Sequence, residues 1–372
     1  MAVVALGFPG SKPRDGDARF DGMPRTGPML DRFGRRATDL RISLTDRCNL
    51  RCTYCMPEEG MQWLPGEDLL TVEEIVRLVR IAVTKLHVAE VRFTGGEPLL
   101  HKDLPTILRL CSALRPRAEL SITTNGLGLR QKAQMLADCG LDRLNVSLDA
   151  ADPVSYAEST RRDRFHDVLA GLAAASAAGL RPIKVNAVLT RRARPSGQGG
   201  ADSKDWRAVA VELLELCLAQ GFELRFIEQM PLDAGRSWSR AEMIRADEIV
   251  DALGRHRSLT PDRAPRGSAP ASRWLVDGGP ARVGVIASVT KPFCADCDRT
   301  RVTADGQVRN CLFAAEETDL RAVLRSSELA EQDGDAAVEL LWRQATWMKR
   351  AGHGMDEPWF EQPERPMSAI GG

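Results

Sequence analysis

Three closely spaced cysteines are the most distinctive chemical feature of this sequence. Cys48, Cys52 and Cys55 follow an apolar, strand-like segment with the spacing C-x3-C-x2-C. Thiolates this close together can bind one soft metal centre. A structural zinc site or a simple electron-transfer cluster uses four protein ligands. Three cysteines around a [4Fe–4S] cluster would leave one iron open to a small molecule, whereas a partial zinc site is the plainer alternative.

A second group of three cysteines lies towards the other end of the chain. Cys294 and Cys297 form a C-x2-C pair, and Cys311 follows after 13 residues. No histidine stands beside them. A second three-cysteine iron–sulfur cluster therefore fits better than a zinc ion that takes its fourth ligand from elsewhere.

Charged side chains occur inside segments that are otherwise apolar and strand-like. Lys184 and Arg225 interrupt two such segments, where a charge is costly unless it is paired or faces a ligand. Arg299, Thr300 and Arg301 lie between the second cysteines. On a strand, these two guanidinium groups share one face, and guanidinium suits bidentate binding of phosphate. Buried salt bridges and a solvated surface are the alternatives.

Short polar motifs close three of the predicted strands. Gly95 and Gly96 allow a ligand to approach the backbone closely, and Glu97 offers a carboxylate beside them. Residues 123–126 and 145–149 place further polar groups at strand ends. Ordinary capping of the next turn explains each motif equally well when it is taken alone.

The elements that must position these residues alternate between strands and helices. From residue 40 onwards we count six strand–helix units, and Thr71 with Glu74 forms a capping box at the start of the first helix. The pattern predicts an α/β fold, a partial (β/α)6 TIM-like barrel whose active site lies at the carboxyl ends of the strands. We expect three regions, listed in order: a flexible leader (1–36), the barrel (37–253) and a C-terminal region with the second cluster (254–372).

The overall composition excludes several classes of protein. Lys+Arg and Asp+Glu both number 51, so no global basic field is available for nucleic acid. No apolar run reaches about 18 residues, and no transmembrane helix is predicted. The nine cysteines are clustered and odd in number, which favours metal ligation in a reducing compartment. We therefore expect a cytoplasmic protein with no nucleic-acid or membrane partner.

With these motifs, the sequence resembles the radical S-adenosylmethionine superfamily and, within it, the GTP 3′,8-cyclase family. The resemblance rests on both cysteine groups, the Gly95-Gly96-Glu97 motif, residues 298–301 and the Gly-Gly end, and it covers about residues 40–372. It implies a lyase that performs the first step of molybdenum cofactor biosynthesis. In that family S-adenosylmethionine yields a 5′-deoxyadenosyl radical, which abstracts the C3′ hydrogen of GTP. The ribose radical then attacks C8 of guanine, and reduction and protonation give (8S)-3′,8-cyclo-7,8-dihydroguanosine 5′-triphosphate.

The resemblance also implies cofactors, partners and site residues. Two [4Fe–4S] clusters would be bound by two sets of cysteines, the first by Cys48, Cys52 and Cys55 and the second by Cys294, Cys297 and Cys311. S-Adenosylmethionine would contact Tyr54, Gly96, Ser147 and Met230. GTP would contact Arg41, Arg92, Thr123, Lys184, Arg299, Thr300 and Arg301. The catalytic set would be the first three cysteines with Arg225, Gly371 and Gly372. An electron donor, a downstream cyclic pyranopterin monophosphate synthase and a homodimeric state are further implications.

Two other functions are compatible with parts of the sequence. A peptide-modifying radical S-adenosylmethionine enzyme would use auxiliary clusters, but such enzymes carry more cysteines in the C-terminal region than the three found after Cys217. A non-catalytic, metal-stabilised binding protein would need closed four-ligand sites. Iron and sulfide content, and the response of the cluster spectrum to S-adenosylmethionine, separate these functions.

Overall fold

The structure is a computed structural model, and it describes residues 17–191 and 204–371. Two expectations lie wholly or partly outside these residues: the first part of the leader, and Gly372. Most of the Gly-rich segment after Thr190, which its composition predicts to be a surface loop, also lies outside them.

The strands form one continuous sheet. They are β1 (Asp39–Ser43), β2 (Glu90–Thr94), β3 (Glu119–Thr124), β4 (Arg143–Ser147), β5 (Ile183–Val188), β6 (Glu223–Ile227), β7 (Leu259–Pro261), β8 (Ser272–Val276), β9 (Arg282–Ile286), β10 (Arg299–Val302), β11 (Gln307–Arg309) and β12 (Thr318–Asp319). Their order is β12-β11-β10-β1-β2-β3-β4-β5-β6-β9-β8-β7. The run from β10 to β9 is parallel throughout. The predicted partial barrel is confirmed, with β1 to β6 as its six strands.

The helices follow the strands as β/α units require. They are α1 (Val72–Thr84), α2 (Leu104–Ser112), α3 (Leu129–Asp138), α4 (Pro153–Thr160), α5 (Phe165–Ala177), α6 (Trp206–Gln220), α7 (Ala246–Gly254), α8 (Arg321–Leu324), α9 (Glu331–Trp347) and α10 (Met367–Ile370). The predicted capping box is present, because Thr71 Oγ1 accepts from the Glu74 amide and the Thr71 amide donates to Glu74 Oε2 at 2.8 Å. No helix in the described parts of the chain is both long and apolar enough to cross a membrane.

The two faces of the barrel strands have opposite chemistry. Leu40 and Ile42 of β1, like Phe93 of β2, are completely buried in the core between sheet and helices. Their strand neighbours Arg41 and Arg92 point into the barrel and line a cavity. Side chains alternate along a strand, so the sequence of β1 alone shows that Leu40 and Ile42 share one face and that Arg41 lies on the other.

Residues from the C-terminal region extend both edges of the barrel. β10 pairs with β1 on one side and β9 pairs with β6 on the other. The predicted boundary after residue 253 therefore crosses a continuous sheet.

The second half of the predicted leader packs against the protein. Met29 is 1% exposed, and Arg35 forms a buried ion pair with Asp31. Arg35 also donates to the carbonyl of Cys294 at 2.5 Å. Residues 17–36 thus differ from the flexible segment expected from their composition, because Met29 packs in the main core and Arg35 donates to the carbonyl of Cys294 in the second cysteine group.

Candidate active site

A cavity of about 550 Å³ occupies the barrel and brings the predicted site residues together. All six predicted cluster ligands line it: Cys48, Cys52, Cys55, Cys294, Cys297 and Cys311. The two groups of cysteines, which residues 56–293 separate in the chain, therefore line one cavity.

The first cysteine loop, residues 48–55, is held in place by the glycines that end β2. The amide of Gly96 donates to the carbonyl of Thr45 at 2.7 Å. A Cβ on Gly96 would lie 2.3 Å from the carbonyl oxygen of Arg47, and one on Gly95 would lie 2.2 Å from that of Thr45. Only glycine permits this close approach. Gly95 and Gly96 therefore let the turn after β2 pack directly against the backbone that leads into the first cysteine loop.

The first three cysteines are half-buried, and the pKa values of their thiols are raised. Burial raises the pKa of Cys55 to about 12, and it raises the pKa values of Cys52 and Cys48 as well. Within the described residues, no group of three or more donors is close enough to bind a single metal ion. A [4Fe–4S] cluster binds each cysteine at a different iron, so its ligands stand further apart. Three cysteines that line one cavity are the kind of donor set that such a cluster uses.

Glu97 joins the ends of two strands. Its carboxylate accepts hydrogen bonds from Thr124 Oγ1 at 2.6 Å, from the Asn125 amide at 2.7 Å and from the Leu99 amide at 2.9 Å. Burial raises the pKa of Glu97 to about 7, although these bonds oppose the rise. Glu97 therefore fixes the ends of β2 and β3 relative to each other.

The predicted S-adenosylmethionine contacts line the cavity beside the first cysteine loop: Tyr54, Gly96, Ser147 and Met230. The Tyr54 hydroxyl donates to Asp149 Oδ2 at 3.0 Å, and Asp149 Oδ1 accepts from the Val188 amide at 2.9 Å. Burial raises the pKa of Asp149 to about 6. Asp149 thus orients Tyr54 from the end of β4.

A row of arginines crosses the inner face of the sheet. Sheet register places Arg41 between Arg301 and Arg92, and Arg299, two residues before Arg301 on β10, is aligned with Asp39. Burial raises the pKa of Asp39, but the four arginines outweigh burial and hold this pKa at about 2. Burial, together with the repulsion of the other three cations, lowers the pKa of Arg41.

The arginine row carries more positive charge than the nearby carboxylates neutralise. Arg41 Nε and Arg299 Nε are buried without a hydrogen-bond partner, and so are Asn145 Nδ2 and Asn186 Oδ1 further along the sheet. Buried polar groups without partners are costly. The gathered cations and the unused donors of Arg41, Arg299 and Asn145 fit a polyanionic ligand such as a triphosphate.

The remaining cationic positions lie across the barrel. Lys184 on β5 pairs in register with Asn145, which in turn neighbours Thr123. Burial, with help from Arg225 and Arg143, lowers the pKa of Lys184 to about 8. Arg225 is bound by Glu223 through two contacts of 2.8 and 2.6 Å.

Thr300 is the one predicted GTP position whose side chain lies elsewhere. It is aligned with Leu40 on the outer face of the sheet, whereas Arg299 and Arg301 face inwards. Its hydroxyl oxygen accepts from Trp342 Nε1 at 2.8 Å, and the residue is fully buried. The alternation of β10 explains the difference, and the side chain of Thr300 has a structural role in place of the predicted substrate contact.

The chain end described by the structure returns to the barrel. The Met367 amide donates to the carbonyl of Leu232 at 2.8 Å, and Arg301 donates to the carbonyl of Gly371 at 2.5 Å. Gly371 has a φ of +82°, and a Cβ there would lie 2.1 Å from Ser43 Oγ. Gly371 therefore reaches the arginine row, as the prediction of a tail in the site requires.

Sequence comparison decides the family. Models of the Radical SAM superfamily and of Molybdenum Cofactor Synthesis C match residues 42–192 and 222–355, respectively. The GTP 3′,8-cyclase of Mycobacterium marinum (strain ATCC BAA-535 / M) is 57% identical over 377 residues, covering 100% of both chains. The chain belongs to the GTP 3′,8-cyclase family. Cyclases of Mycobacterium sp. (strain KMS) and Mycobacterium tuberculosis (strain ATCC 25618 / H37Rv) are 58% and 56% identical, again over 100% of both chains.

Solved structures support the fold of this cyclase family member. Streptococcus suis SuiB bound to precursor peptide SuiA aligns with a TM-score of 0.51 at 14% identity, covering 86% of this chain and 66% of that one. At this identity the likeness concerns the fold alone. Membership of the superfamily brings S-adenosylmethionine and an iron–sulfur cluster as cofactors.

Several residues of the cyclase cavity were not predicted. Arg143 lines it and is ion-paired with Glu90 and Glu119. His353 also lines it; its Nδ1 accepts from the Met355 amide at 2.9 Å, and its Nε2 is buried without a partner. Arg143 lies at the start of a predicted strand, so its charge was a usable signal, whereas His353 has no ligand spacing in the sequence.

Proposed function

We propose that this protein converts GTP to (8S)-3′,8-cyclo-7,8-dihydroguanosine 5′-triphosphate, the first step of molybdenum cofactor biosynthesis. The observation that carries the proposal is that both three-cysteine groups and the arginine row line the same cavity. The names of the full-length relatives agree with this activity.

The first cysteine loop would hold the cluster that binds S-adenosylmethionine. Cys48, Cys52 and Cys55 are its proposed ligands, and Tyr54, Gly96, Ser147 and Met230 the proposed contacts of S-adenosylmethionine. When bound, these groups supply the radical that removes the C3′ hydrogen of GTP. The protein contributes an enclosed site, which limits the access of water to reactive species.

The triphosphate would bind along the arginine row. Arg41, Arg92, Arg299 and Arg301 place four cations on adjacent strands, and Lys184 with Thr123 continues the set across the barrel. Charge-assisted hydrogen bonds of this kind contribute about 1.5–3 kcal/mol each. Binding would also give the buried donors of Arg41 and Arg299 the partners they lack.

The second group of cysteines would hold a second cluster that faces the guanine base. Cys294, Cys297 and Cys311 are its proposed ligands. Arg225 and Gly371, with Gly372 beyond the described residues, are the remaining proposed catalytic positions. Because a β-carbon on Gly371 would collide with Ser43, we assign Gly371 the role of placing the tail next to Arg301.

Other parts of the proposal concern the setting of the reaction. The nine cysteines are all free thiols, which suits a reducing, cytoplasmic environment. An electron donor for the first cluster, a downstream cyclic pyranopterin monophosphate synthase and a homodimeric state rest on the family resemblance alone.

Transfer of deuterium tests the proposal directly. Anaerobically reconstituted and reduced protein would be given S-adenosylmethionine and GTP deuterated at C3′, with a Cys48→Ala variant as the control. We expect deuterium in the 5′-deoxyadenosine formed by the wild type and no cleavage by the variant. Cleavage without deuterium transfer would exclude GTP as the hydrogen donor and favour a peptide substrate. No cleavage by fully loaded protein would favour the binding-protein alternative.

A further inference from the structure

Lys349, just after α9, is a buried lysine in contact with the second cysteine group. Its ammonium donates to Cys297 Sγ at 3.2 Å, to the carbonyl of Cys297 at 3.0 Å and to that of Arg299 at 2.9 Å. The residue is 4% exposed. All three N–H donors of the ammonium therefore have acceptors. These acceptors belong to residues 297–299, which link Cys297, a proposed cluster ligand, to Arg299 of the arginine row.

The charge of Lys349 is not balanced by a carboxylate. Among the described residues, no aspartate or glutamate lies within ion-pair distance of its ammonium. A buried ammonium without an anion is costly, and two carbonyl dipoles replace only part of its hydration. The sulfur of Cys297 becomes an anionic partner for this ammonium when the cysteine binds metal, since cysteine binds metal as thiolate.

We propose that Lys349 is a positioning residue that raises the reduction potential of the second cluster. The inference rests on the proposed function, because it requires that cluster. Reduction adds negative charge to a cluster, so a fixed cation in contact with a ligand sulfur stabilises the reduced state. Hydrogen bonds to the sulfurs, and burial, act on the same potential.

A purely structural lysine would make the same contacts. In that role, Lys349 would only attach the end of α9 to the carbonyls of Cys297 and Arg299. Replacement would then lower stability or cluster content, but it would leave the potential of any cluster that forms unchanged. Charge and hydrogen bonding must therefore be varied separately.

Three substitutions make that separation, and a fourth serves as a control. Lys349→Arg keeps the charge, Lys349→Gln keeps a donor without charge, and Lys349→Met removes both. Lys291→Gln removes the same charge three residues before Cys294, but at an exposed position. Water screens an exposed charge, so its effect on the potential of the cluster is much smaller than that of a buried charge.

The potential would be measured by redox titration followed by electron paramagnetic resonance. The full-length chain would carry Cys48→Ala, Cys52→Ala and Cys55→Ala, so that only the second cluster reports, and iron and sulfide would be counted in every sample. We expect a more negative midpoint potential in Lys349→Gln and Lys349→Met, and values near that of the parent in Lys349→Arg and Lys291→Gln.

The outcomes separate this inference from the proposed function. A loaded Lys349→Gln protein with the parent's potential would overturn the role of Lys349 and leave the second cluster in place. If Lys349→Met does not load, the Gln and Arg variants decide. A parent chain that binds no cluster through Cys294, Cys297 and Cys311 would overturn both the second cluster and the inference built on it.

Discussion

Neighbouring residues on β10 have different roles because they face opposite sides of the sheet. Thr300→Val leaves Trp342 Nε1 buried without an acceptor, and we expect the free energy of unfolding to fall by about 1–3 kcal/mol. Arg301→Met removes a cation from the cavity, and we expect GTP affinity to fall by roughly 10- to 100-fold. Denaturant unfolding and calorimetric titration with GTP measure the two effects. A large loss of GTP affinity in Thr300→Val would show that its side chain contacts substrate after all.

Lys184 gives GTP binding a dependence on pH. Burial and the nearby Arg225 and Arg143 lower the pKa of Lys184 to about 8 in the protein without ligand. The protonated amine is the form that attracts phosphate, so affinity is full below this pKa and falls as pH rises through about 8. We expect Lys184→Arg to remove this fall, because guanidinium stays protonated. Dissociation constants measured from about pH 7 to 9.5 test this, and identical profiles for both proteins would contradict it.

At the scale of elements, the turn after β2 controls the loop after β1. Gly96→Ala would place a methyl group 2.3 Å from the carbonyl oxygen of Arg47 and 2.4 Å from that of Asp46, so the first cysteine loop must move. We expect iron content to fall towards that of a protein with only the second cluster, with loss of S-adenosylmethionine binding.

The matched control for this change is Gly254→Ala at the end of α7. A Cβ at Gly254 would meet nothing within 4 Å. We expect this variant to load iron normally, and full loading of Gly96→Ala would show that the loop tolerates displacement.

Strong local patterns allowed the barrel elements to be predicted from sequence. The capping box at Thr71 marks the start of α1, and β6 has the predicted bounds, Glu223–Ile227. α4 was missed although Asp152 caps it and Pro153 begins it, because eight residues give too little apolar periodicity. β7 lies in a segment rich in Arg, Pro and Ser, and its pairing with β8 is not encoded in its composition.

At the scale of the whole molecule, the site depends on contacts that no local pattern shows. The types of Arg299 and Arg301 suggested phosphate binding and the family resemblance added Arg41, but the adjacency of Arg41 and Arg301 follows from pairing between β1 and β10. Lys349 reaches Cys297 from the end of α9, whose Trp342 donates to Thr300 of β10. The sequence therefore predicted which residues line the cavity better than which residues support them.

The pairing of β1 with β10 has a consequence for how the chain folds. Thr38 Oγ1 donates to Asp298 across a sequence separation of 260 residues. Closing so long a loop is entropically expensive, and folding slows as contacts become less local. During synthesis, β1 can pair with β2 early, but its other edge stays unpaired until β10 has been synthesised. Until then that edge is unprotected, and such edges favour aggregation. Anything that binds the paired state alone stabilises it by mass action, so the supply of iron and nucleotide also acts on the yield of folded protein.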